Sequence, residues 1–253
     1  MGSYEFFARV YDRLTDNVGY RERADFIHSL LSENGVPDGA LAVDLACGTG
    51  SLTLELAKSY DMIGVDISEQ MLSAAMEKAY EASLNVLFLR QDITRLDLYG
   101  TVKAAVCTLD SLNHLSDGRA VEQAIFKAGL FMEPGGVFIF DVNTVYKHRN
   151  ILADNTFVYD CGDIYCVWQN TPGPDDSVRI DLDIFEEAGG LYARSSESFT
   201  ERAYPLESYA EWLKKAEFEI IDIYDSYTRQ KPCETTQRAV FAARYAGKPE
   251  AQK

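Results

Sequence analysis

Two features of the sequence combine residue types that suit ligand binding. In Val43-Asp-Leu-Ala-Cys-Gly-Thr-Gly50, an apolar strand is followed by a Gly-x-Gly turn and a helix. Glycine in such a turn accepts a positive φ and, because it lacks a Cβ, lets a ligand approach the backbone. Asp66 ends the next apolar stretch, where a carboxylate can accept hydrogen bonds from both hydroxyls of a ribose. Since the ends of neighbouring strands lie side by side, one nucleoside-like ligand can bridge the two features.

The glycine turn also indicates which nucleoside it suits. Dinucleotide-binding turns follow the pattern Gly-x-Gly-x-x-Gly, whose third glycine packs the helix close to the sheet beneath a pyrophosphate. Thr53 stands at that third position, and Asp44 precedes Gly48 by four residues. An acid at Asp44 suits a ligand with an ammonium group and no phosphate, which points to S-adenosylmethionine. Taken singly, Asp44 or Asp66 could be an ordinary solvated acid at a strand end, but their joint spacing favours a ligand.

The elements that must position these residues alternate between strand and helix as far as residue 142. Such alternation predicts a parallel sheet with helices on both faces. The pattern then changes, because Val178-Arg-Ile-Asp-Leu-Asp-Ile184 alternates apolar and polar residues and Ala188-Gly-Gly190 predicts a hairpin turn. Residues 155–204 are therefore expected to form an inserted antiparallel sheet, followed by a helix and two closing strands.

The segment Asp44-Leu-Ala-Cys-Gly-Thr-Gly50 resembles the signature of class I S-adenosylmethionine-dependent methyltransferases. Further resemblances occur in the family's order at Gly64-Val-Asp-Ile-Ser-x-x-Met-Leu72, Gln91-Asp-Ile93, Leu109-Asp-Ser-Leu-Asn-His-Leu115 and Glu133-Pro-Gly-Gly136. The resemblance covers residues 40–145. In addition, Phe7-Ala-Arg-Val-Tyr-Asp12 and Tyr20 resemble the lid of a bacterial subset that acts on small molecules.

This resemblance implies an α/β fold, with a Rossmann-like, doubly wound sheet of seven strands and an inserted antiparallel β-sheet. The seven strands would be mostly parallel, with the last one antiparallel. The implied organisation is an N-terminal helical lid at residues 1–37, a cofactor-binding core at 38–150 and 205–246, and an inserted substrate cap at 151–204.

The resemblance also implies a site for S-adenosylmethionine, with S-adenosylhomocysteine as its product. The residues expected to bind the cofactor are Tyr11, Asp44, Ala46, Cys47, Gly48, Gly50, Asp66, Ile67, Met71, Gln91, Asp92, Ile93 and Leu109. Asp44 would hold the amine and Asp66 the ribose, with the methionine moiety against the backbone of the glycine turn. Ile67 and Met71 would flank the adenine ring. Considered without its neighbours, Met71 would more readily be interpreted as a residue of the hydrophobic core.

The remaining roles implied by the family are more local. Asp92 would accept a hydrogen bond from the adenine amine, and the Ile93 amide would serve a ring nitrogen. Leu109 would lie near the sulfonium and Tyr11 would cover the cofactor, unless Tyr11 is simply a surface aromatic residue. We interpret Cys47 as a small residue that packs within the loop, and not as a catalytic nucleophile.

Two residues near the fourth strand are candidates for a catalytic base. An oxygen or nitrogen acceptor can need one, and Asp110 and His114 are the available groups. His114 is the better base because an unperturbed imidazole titrates near neutral pH. A structural role for His114 is the alternative. No cluster of His, Cys and carboxylates indicates a metal site.

The predicted function is methyl transfer from S-adenosylmethionine to a small-molecule acceptor by in-line displacement. A non-catalytic protein that binds the cofactor on the same fold is one alternative. A nicotinamide-dependent dehydrogenase is another, but it would need the third glycine and a Tyr-x-x-x-Lys pair. Tyr20 and Tyr80 lack a lysine four residues later.

Composition excludes several other classes of partner. With 24 basic and 40 acidic residues, the 253-residue chain has a formal charge of −16, which disfavours binding to nucleic acid or to anionic membranes. The segment Asp110-Ser-Leu-Asn113 also differs from the Asn/Asp-Pro-Pro-Tyr/Phe motif of enzymes that methylate bases or amides, which argues against a nucleic acid substrate. No signal peptide and no run of 18 apolar residues is present, so a cytoplasmic location is expected.

Overall fold

A computed structural model describes residues 10–247 of the protein. Their strands, in chain order, are β1 (Leu41–Leu45), β2 (Asp61–Asp66), β3 (Leu87–Arg90), β4 (Val102–Cys107), β5 (Met132–Asn143), β6 (Thr156–Asp160), β7 (Ile164–Pro172), β8 (Ser177–Ala188), β9 (Leu191–Arg202), β10 (Phe218–Asp225) and β11 (Arg238–Tyr245). The helices of six or more residues that lie wholly within this range are α1 (Tyr20–Glu33), α2 (Ser51–Leu56), α3 (Glu69–Glu81), α4 (Gly118–Leu130) and α5 (Leu206–Lys215).

The larger sheet has seven strands in the order β10-β11-β5-β4-β1-β2-β3. Its central pairs are parallel, from β3 through β2, β1 and β4 to β5. The final strand, β11, runs antiparallel to both β5 and β10. The predicted α/β fold is therefore confirmed, including the antiparallel orientation of the last strand. The order in which successive strands join the sheet reverses between β1 and β4. In open α/β sheets, ligands bind beside such a point, outside the carboxyl ends of the parallel strands.

Both faces of this sheet are buried, which explains the nearly continuous apolar sequence of its strands. In β5, Phe138 and Phe140 pack on one side with α4 and α5, whereas Val137 and Ile139 pack on the other side with α1 and α2. Each fully buried side chain of this kind stabilises the fold by roughly 1.5–3 kcal/mol relative to an exposed one.

Helix α1 belongs to one of these two layers. Its apolar residues recur at helical spacing, and Ala24, Ile27 and Leu30 are buried in the same cluster as Ala42 of β1. The expected lid at residues 1–37 therefore includes a helix that the structure places on the sheet, because a continuous apolar stripe must be covered. The motif residue Phe7 lies outside the described residues.

The smaller sheet has four antiparallel strands in the order β6-β7-β8-β9. The alternation predicted for β8 is present, since Val178, Ile180, Leu182 and Ile184 are buried while the residues between them are more exposed. A turn at residues 189–190, where both glycines have positive φ, connects β8 to β9. Within residues 10–247, no helix is long and apolar enough to cross a bilayer.

Candidate active site

A cavity of about 250 Å³ lies at the carboxyl ends of β1, β2 and β4. It is lined by Tyr11, Tyr20, Asp44, Ala46, Cys47, Gly48, Thr49, Ser51, Leu52, Asp66, Ile67, Ser68, Met71, Thr108, Leu109, Ser111 and His114. The glycine turn and the acid that ends β2 therefore meet as predicted, although they are far apart in the sequence. This space is called the donor cavity below.

Asp66 connects the two halves of the donor cavity. Its Oδ2 accepts a hydrogen bond from the Gly48 amide at 2.9 Å, and its Oδ1 accepts one from the Ser68 amide at 2.8 Å. Burial raises the pKa of Asp66, while these amide hydrogen bonds favour its ionised form. Each carboxylate oxygen can accept more than one hydrogen bond, so Asp66 can still accept bonds from ligand hydroxyls.

Asp44 is the second acid of the donor cavity and is only 2% exposed. It accepts a hydrogen bond from the Thr53 hydroxyl at 2.6 Å, and burial raises its pKa to about 7. Thr53 thus has a definite role at the place where a dinucleotide-binding turn has its third glycine. None of the described residues that line this cavity is a Lys or an Arg. Two buried acids without a cation suit a positively charged ligand.

The two glycines of the turn have different roles. Gly48 has a φ of 54°, and a Cβ built there would meet nothing within 4 Å, so open space lies above its backbone. Gly50 has a φ of 75°, and its Cβ would lie 3.0 Å from Ala75 of α3. Gly48 therefore leaves room for a ligand, whereas Gly50 lets the turn pack against α3 and does not line the cavity.

A larger cavity of about 390 Å³ lies between the sheet edge and the smaller sheet. It is lined by Tyr11, Leu14, Thr15, Asn17, Val18, Arg23, Leu109, Asp110, His114, Tyr159, Cys166, Trp168, Leu182, Phe199, Glu201 and Arg238. Tyr11, Leu109 and His114 line both cavities. This second space therefore adjoins the donor cavity at those three residues. It is called the acceptor cavity, after the role that is proposed for it below.

The backbone at this junction is held in an uncommon conformation. Leu109 and Asp110 have φ values of 54° and 52°, although neither is glycine. The buried Asp141 of β5 accepts hydrogen bonds from both of their amides, at 3.0 and 2.8 Å. It also accepts bonds from the Tyr227 hydroxyl and from Arg238. Strain held by a buried network is typical of functional sites.

The predicted family is supported by comparison with known proteins. Residues 42–136 match a family model described as a methyltransferase domain. YqeM of Bacillus subtilis, which is named as a methyltransferase, is 34% identical over 243 residues, or 95% of this chain and 96% of YqeM. A solved S-adenosylmethionine-dependent methyltransferase from Clostridium acetobutylicum is 32% identical, with a TM-score of 0.89, and the match covers 97% of this chain and 100% of that one.

The chain belongs to the class I S-adenosylmethionine-dependent methyltransferases. Its cofactor is S-adenosylmethionine, and the alternative of a nicotinamide-dependent dehydrogenase is wrong. The structure of CalS10 from Micromonospora echinaspora, which contains bound S-adenosylmethionine, shares the fold at 18% identity. Its TM-score is 0.76, with 93% of this chain and 96% of that chain covered.

Besides Gly50, three residues predicted to bind the cofactor of this methyltransferase do not line the donor cavity. Gln91 exchanges hydrogen bonds with the backbone of Asp97, and Asp92 accepts bonds from the amide and hydroxyl of Thr94. Ile93 is buried in the core. In these contacts, the loop after β3 forms hydrogen bonds with itself. The hydrogen bonds that Asp92 and the Ile93 amide were expected to form with adenine therefore stay a prediction.

The two candidate bases of the methyltransferase differ in their surroundings. Asp110 forms an ion pair with Arg238 at 2.5 Å. Although burial opposes its ionisation, Arg238 and the nearby Lys147 hold the pKa of Asp110 well below its usual range. The imidazole of His114 is 42% exposed, and its Nε2 lies 3.5 Å from Glu201 Oε1. The cations beside Asp110 make it a weak base, so His114, which is exposed to both cavities, is the better placed of the two to take a proton from a ligand.

Sequence reasoning missed several residues of the acceptor cavity. Glu201 and Phe199 come from β9, Trp168 from β7, and Arg238 from the start of β11. The alternation of β9 does contain a signal, because it places Glu201 on the same face as Phe199, where an acid is unusual. No comparable local signal marks Arg238.

A short segment over both cavities is attached on two sides. Asp12 accepts hydrogen bonds from Thr49 of the glycine turn at 2.5 Å and from Lys78 of α3 at 2.6 Å. The next residue, Arg13, donates at 2.9 Å to Asp163, in the turn between β6 and β7 of the smaller sheet. Tyr11 precedes this pair, so residues 11–13 connect the donor cavity with the smaller sheet.

Asp110, His114 and Glu201 also bring three possible metal-ligand atoms within 4.8 Å of one another. The ion pair between Asp110 and Arg238 places a positive charge at this group, and Lys147 adds a second one nearby. Fixed cations repel a divalent ion, so these two charges oppose metal binding by the group.

Proposed function

We propose that this methyltransferase transfers its methyl group to a small-molecule acceptor bound in the acceptor cavity, by in-line displacement. The observation that carries this proposal is the junction of the two cavities at Tyr11, Leu109 and His114. A volume of about 390 Å³ is in the range of small-molecule pockets. The aromatic side chains of Trp168 and Phe199 provide flat apolar walls for such a ligand.

The donor cavity would hold S-adenosylmethionine through the residues already described. Asp66 would accept from the ribose hydroxyls, Asp44 would face the ammonium group, and the backbone at Gly48 would contact the methionine moiety. Ile67 and Met71 would flank the adenine. When bound, the cofactor supplies a methyl carbon that its sulfonium activates for displacement.

The protein's contribution to the reaction would be orientation and proton removal. Holding two reactants at attack distance contributes about 7–11 kcal/mol to lowering a bimolecular barrier. Leu109 would fix the position of the donor at the junction. His114 would take the proton that an oxygen or nitrogen acceptor loses, and removing such a base typically lowers the rate by about 10²–10⁴-fold.

Two parts of the chain would enclose the acceptor. Residues 151–204, which include the smaller sheet, would form its cap, and residues 10–19 would act as a lid over both cavities. The formal charge of −16 opposes a nucleic acid substrate.

Labelled methyl transfer in a fractionated cell extract tests this proposal. An extract of Bacillus subtilis is divided by size into molecules below and above about 3 kDa, and each fraction is incubated with the protein and methyl-labelled S-adenosylmethionine. Label should enter the small-molecule fraction, and His114→Asn should reduce that incorporation by about 10²-fold or more. Label found only in macromolecules would overturn the proposal.

A further inference from the structure

Glu201, one of the residues that line the acceptor cavity, lies between two histidines. Its Oε1 is 3.5 Å from His114 Nε2, and its Oε2 is 3.6 Å from His148 Nε2. The side chain of Glu201 is 3% exposed and that of His148 is 0% exposed, whereas His114 opens into the cavity. Both distances lie just beyond hydrogen-bond length, so a shift of a few tenths of an ångström completes a continuous line of proton-binding atoms.

The hydrogen bonds of His148 leave its Nε2 without a hydrogen-bond partner, in a position to share a proton with Glu201. His148 Nδ1 lies 2.8 Å from the carbonyl oxygen of Asp176, which can only accept, so Nδ1 carries the hydrogen. In a neutral imidazole, Nε2 is then a bare acceptor, and it has no hydrogen-bond partner. It faces a carboxylate oxygen of Glu201, which is also an acceptor. Glu201 Oε2 already accepts a hydrogen bond from Asn143, so a proton held between the two residues would satisfy the unpaired Nε2 of His148.

The surroundings of the pair act on the charge of each residue in both directions. Burial and the negative charge of Asp110 raise the pKa of Glu201, while His114, Lys147 and a hydrogen bond from Asn143 lower it. Burial lowers the pKa of His148, and the Asp176 carbonyl and Asp110 oppose that change.

We propose that Glu201 and His148 form a buried proton relay, which receives through His114 the proton that a hydroxyl or amine acceptor loses on methylation. This inference rests on the proposed function and names its acceptor class, namely a group with an O–H or N–H proton to lose. An acceptor that is already deprotonated, such as a carboxylate, needs no relay. Glu201 also lines the acceptor cavity, but in the relay it and His148 act through His114, so both are positioning residues.

The step balances in atoms and charge. The bond between the acceptor and the methyl carbon forms as the carbon–sulfur bond breaks, and that electron pair stays on sulfur. The acceptor proton moves to His114 Nδ1, and His114 passes its Nε2 proton to Glu201 Oε1. Glu201 Oε2 releases the shared proton to His148 Nε2. The positive charge lost from sulfur therefore appears on His148, and it leaves by the reverse path when the product departs.

Nuclear magnetic resonance titration of the histidine rings in the full-length protein tests the relay. The chain has only three histidines, so the ring signals can be assigned with His28→Gln and His148→Gln. His114 and His148 should show a common titration step in the unmodified protein, as coupled groups do. In Glu201→Gln, which keeps an acceptor for Asn143, the midpoint of His148 should fall by at least about one pH unit and the common step should disappear.

Glu187→Gln is the matched control, because Glu187 is an exposed acid on the same sheet, and it should leave both histidine midpoints unchanged. An unchanged His148 midpoint in Glu201→Gln would overturn the relay. Selective broadening of both ring signals by micromolar Mn²⁺ would also overturn it, since it would show that the cluster binds a metal. Calorimetry with S-adenosylhomocysteine on the same unmodified sample tests the donor site separately, so failure of the relay can be told apart from failure of the proposed function.

Discussion

Replacing Asp66 with alanine removes the carboxylate that joins the glycine turn to the start of α3. In the proposed complex, this carboxylate also accepts hydrogen bonds from the ribose. Hydrogen bonds to a charged group contribute about 1.5–3 kcal/mol, so affinity for S-adenosylhomocysteine should fall by about ten- to 150-fold. Isothermal titration calorimetry measures this dissociation constant directly.

A second substitution at the same position separates binding from local structure. Asp66→Asn keeps one carbonyl oxygen, which can accept from the Gly48 amide or the Ser68 amide but carries no charge. The difference between a charged and a neutral hydrogen bond is about 1 kcal/mol, so Asp66→Asn should weaken binding by about fivefold. Its smaller effect on the turn should leave the thermal midpoint closer to that of the unmodified protein than the midpoint of Asp66→Ala.

Asp61→Asn provides the matched control. Asp61 lies at the opposite, exposed end of the same strand, so the change in charge is identical while the donor cavity is untouched. Its dissociation constant should not change. If Asp66→Ala is folded and binds S-adenosylhomocysteine as tightly as Asp61→Asn does, the assignment of Asp66 to the cofactor site is wrong.

Three further substitutions test other parts of the structure. Because burial raises the pKa of Asp44 from 3.8 to about 7, the unliganded protein should lose stability as the pH rises from about 4 to 7. Binding should show the opposite trend, because a ligand ammonium pairs with the ionised form of Asp44: calorimetry should find that affinity for S-adenosylhomocysteine rises about tenfold from pH 6 to pH 8. In Asp44→Asn, calorimetry should show no such rise in affinity, and thermal melts should show no such loss of stability. Gly64→Ala should destabilise the fold by about 1–3 kcal/mol in denaturant titrations, since its Cβ would lie 2.6 Å from an aromatic ring, whereas Gly100→Ala, which meets nothing within 4 Å, should not. Asp12→Ala should speed dissociation of S-adenosylhomocysteine by about two- to tenfold in stopped-flow experiments, because it removes the hydrogen bonds that hold residues 11–13 to the glycine turn and to α3. The control is Asp16→Ala, since Asp16 is exposed. Equal dissociation rates in the two variants would contradict the role of Asp12.

The donor cavity was largely predictable because its residues follow a local rule. A strand that ends in a glycine turn, and a second strand that ends in an acid, need only the pairing of β1 with β2 to bring Gly48 and Asp66 together. The alternation of β8 likewise shows directly which side chains face inward. Local pattern and tertiary structure agree at these places.

The acceptor cavity was less predictable because its residues meet through distant pairings. Arg238 reaches Asp110 across 128 residues, and Glu201 reaches His148 across 53. Each contact depends on how β9 and β11 dock against other elements, and no spacing in the sequence encodes that. The loop after β3 shows a different difficulty. Asp92 lies in a motif that resembles the family's, yet in the structure its carboxylate accepts a hydrogen bond from the backbone amide of Thr94 in the same loop.

The attachment of residues 11–13 on two sides has a consequence for access to the two cavities. Tyr11 lines both of them, and its neighbours Asp12 and Arg13 are anchored to opposite sides. A movement of this segment would therefore alter access to both cavities at once. In the proposed reaction, entry and exit of the two ligands would then be linked by one short stretch of chain.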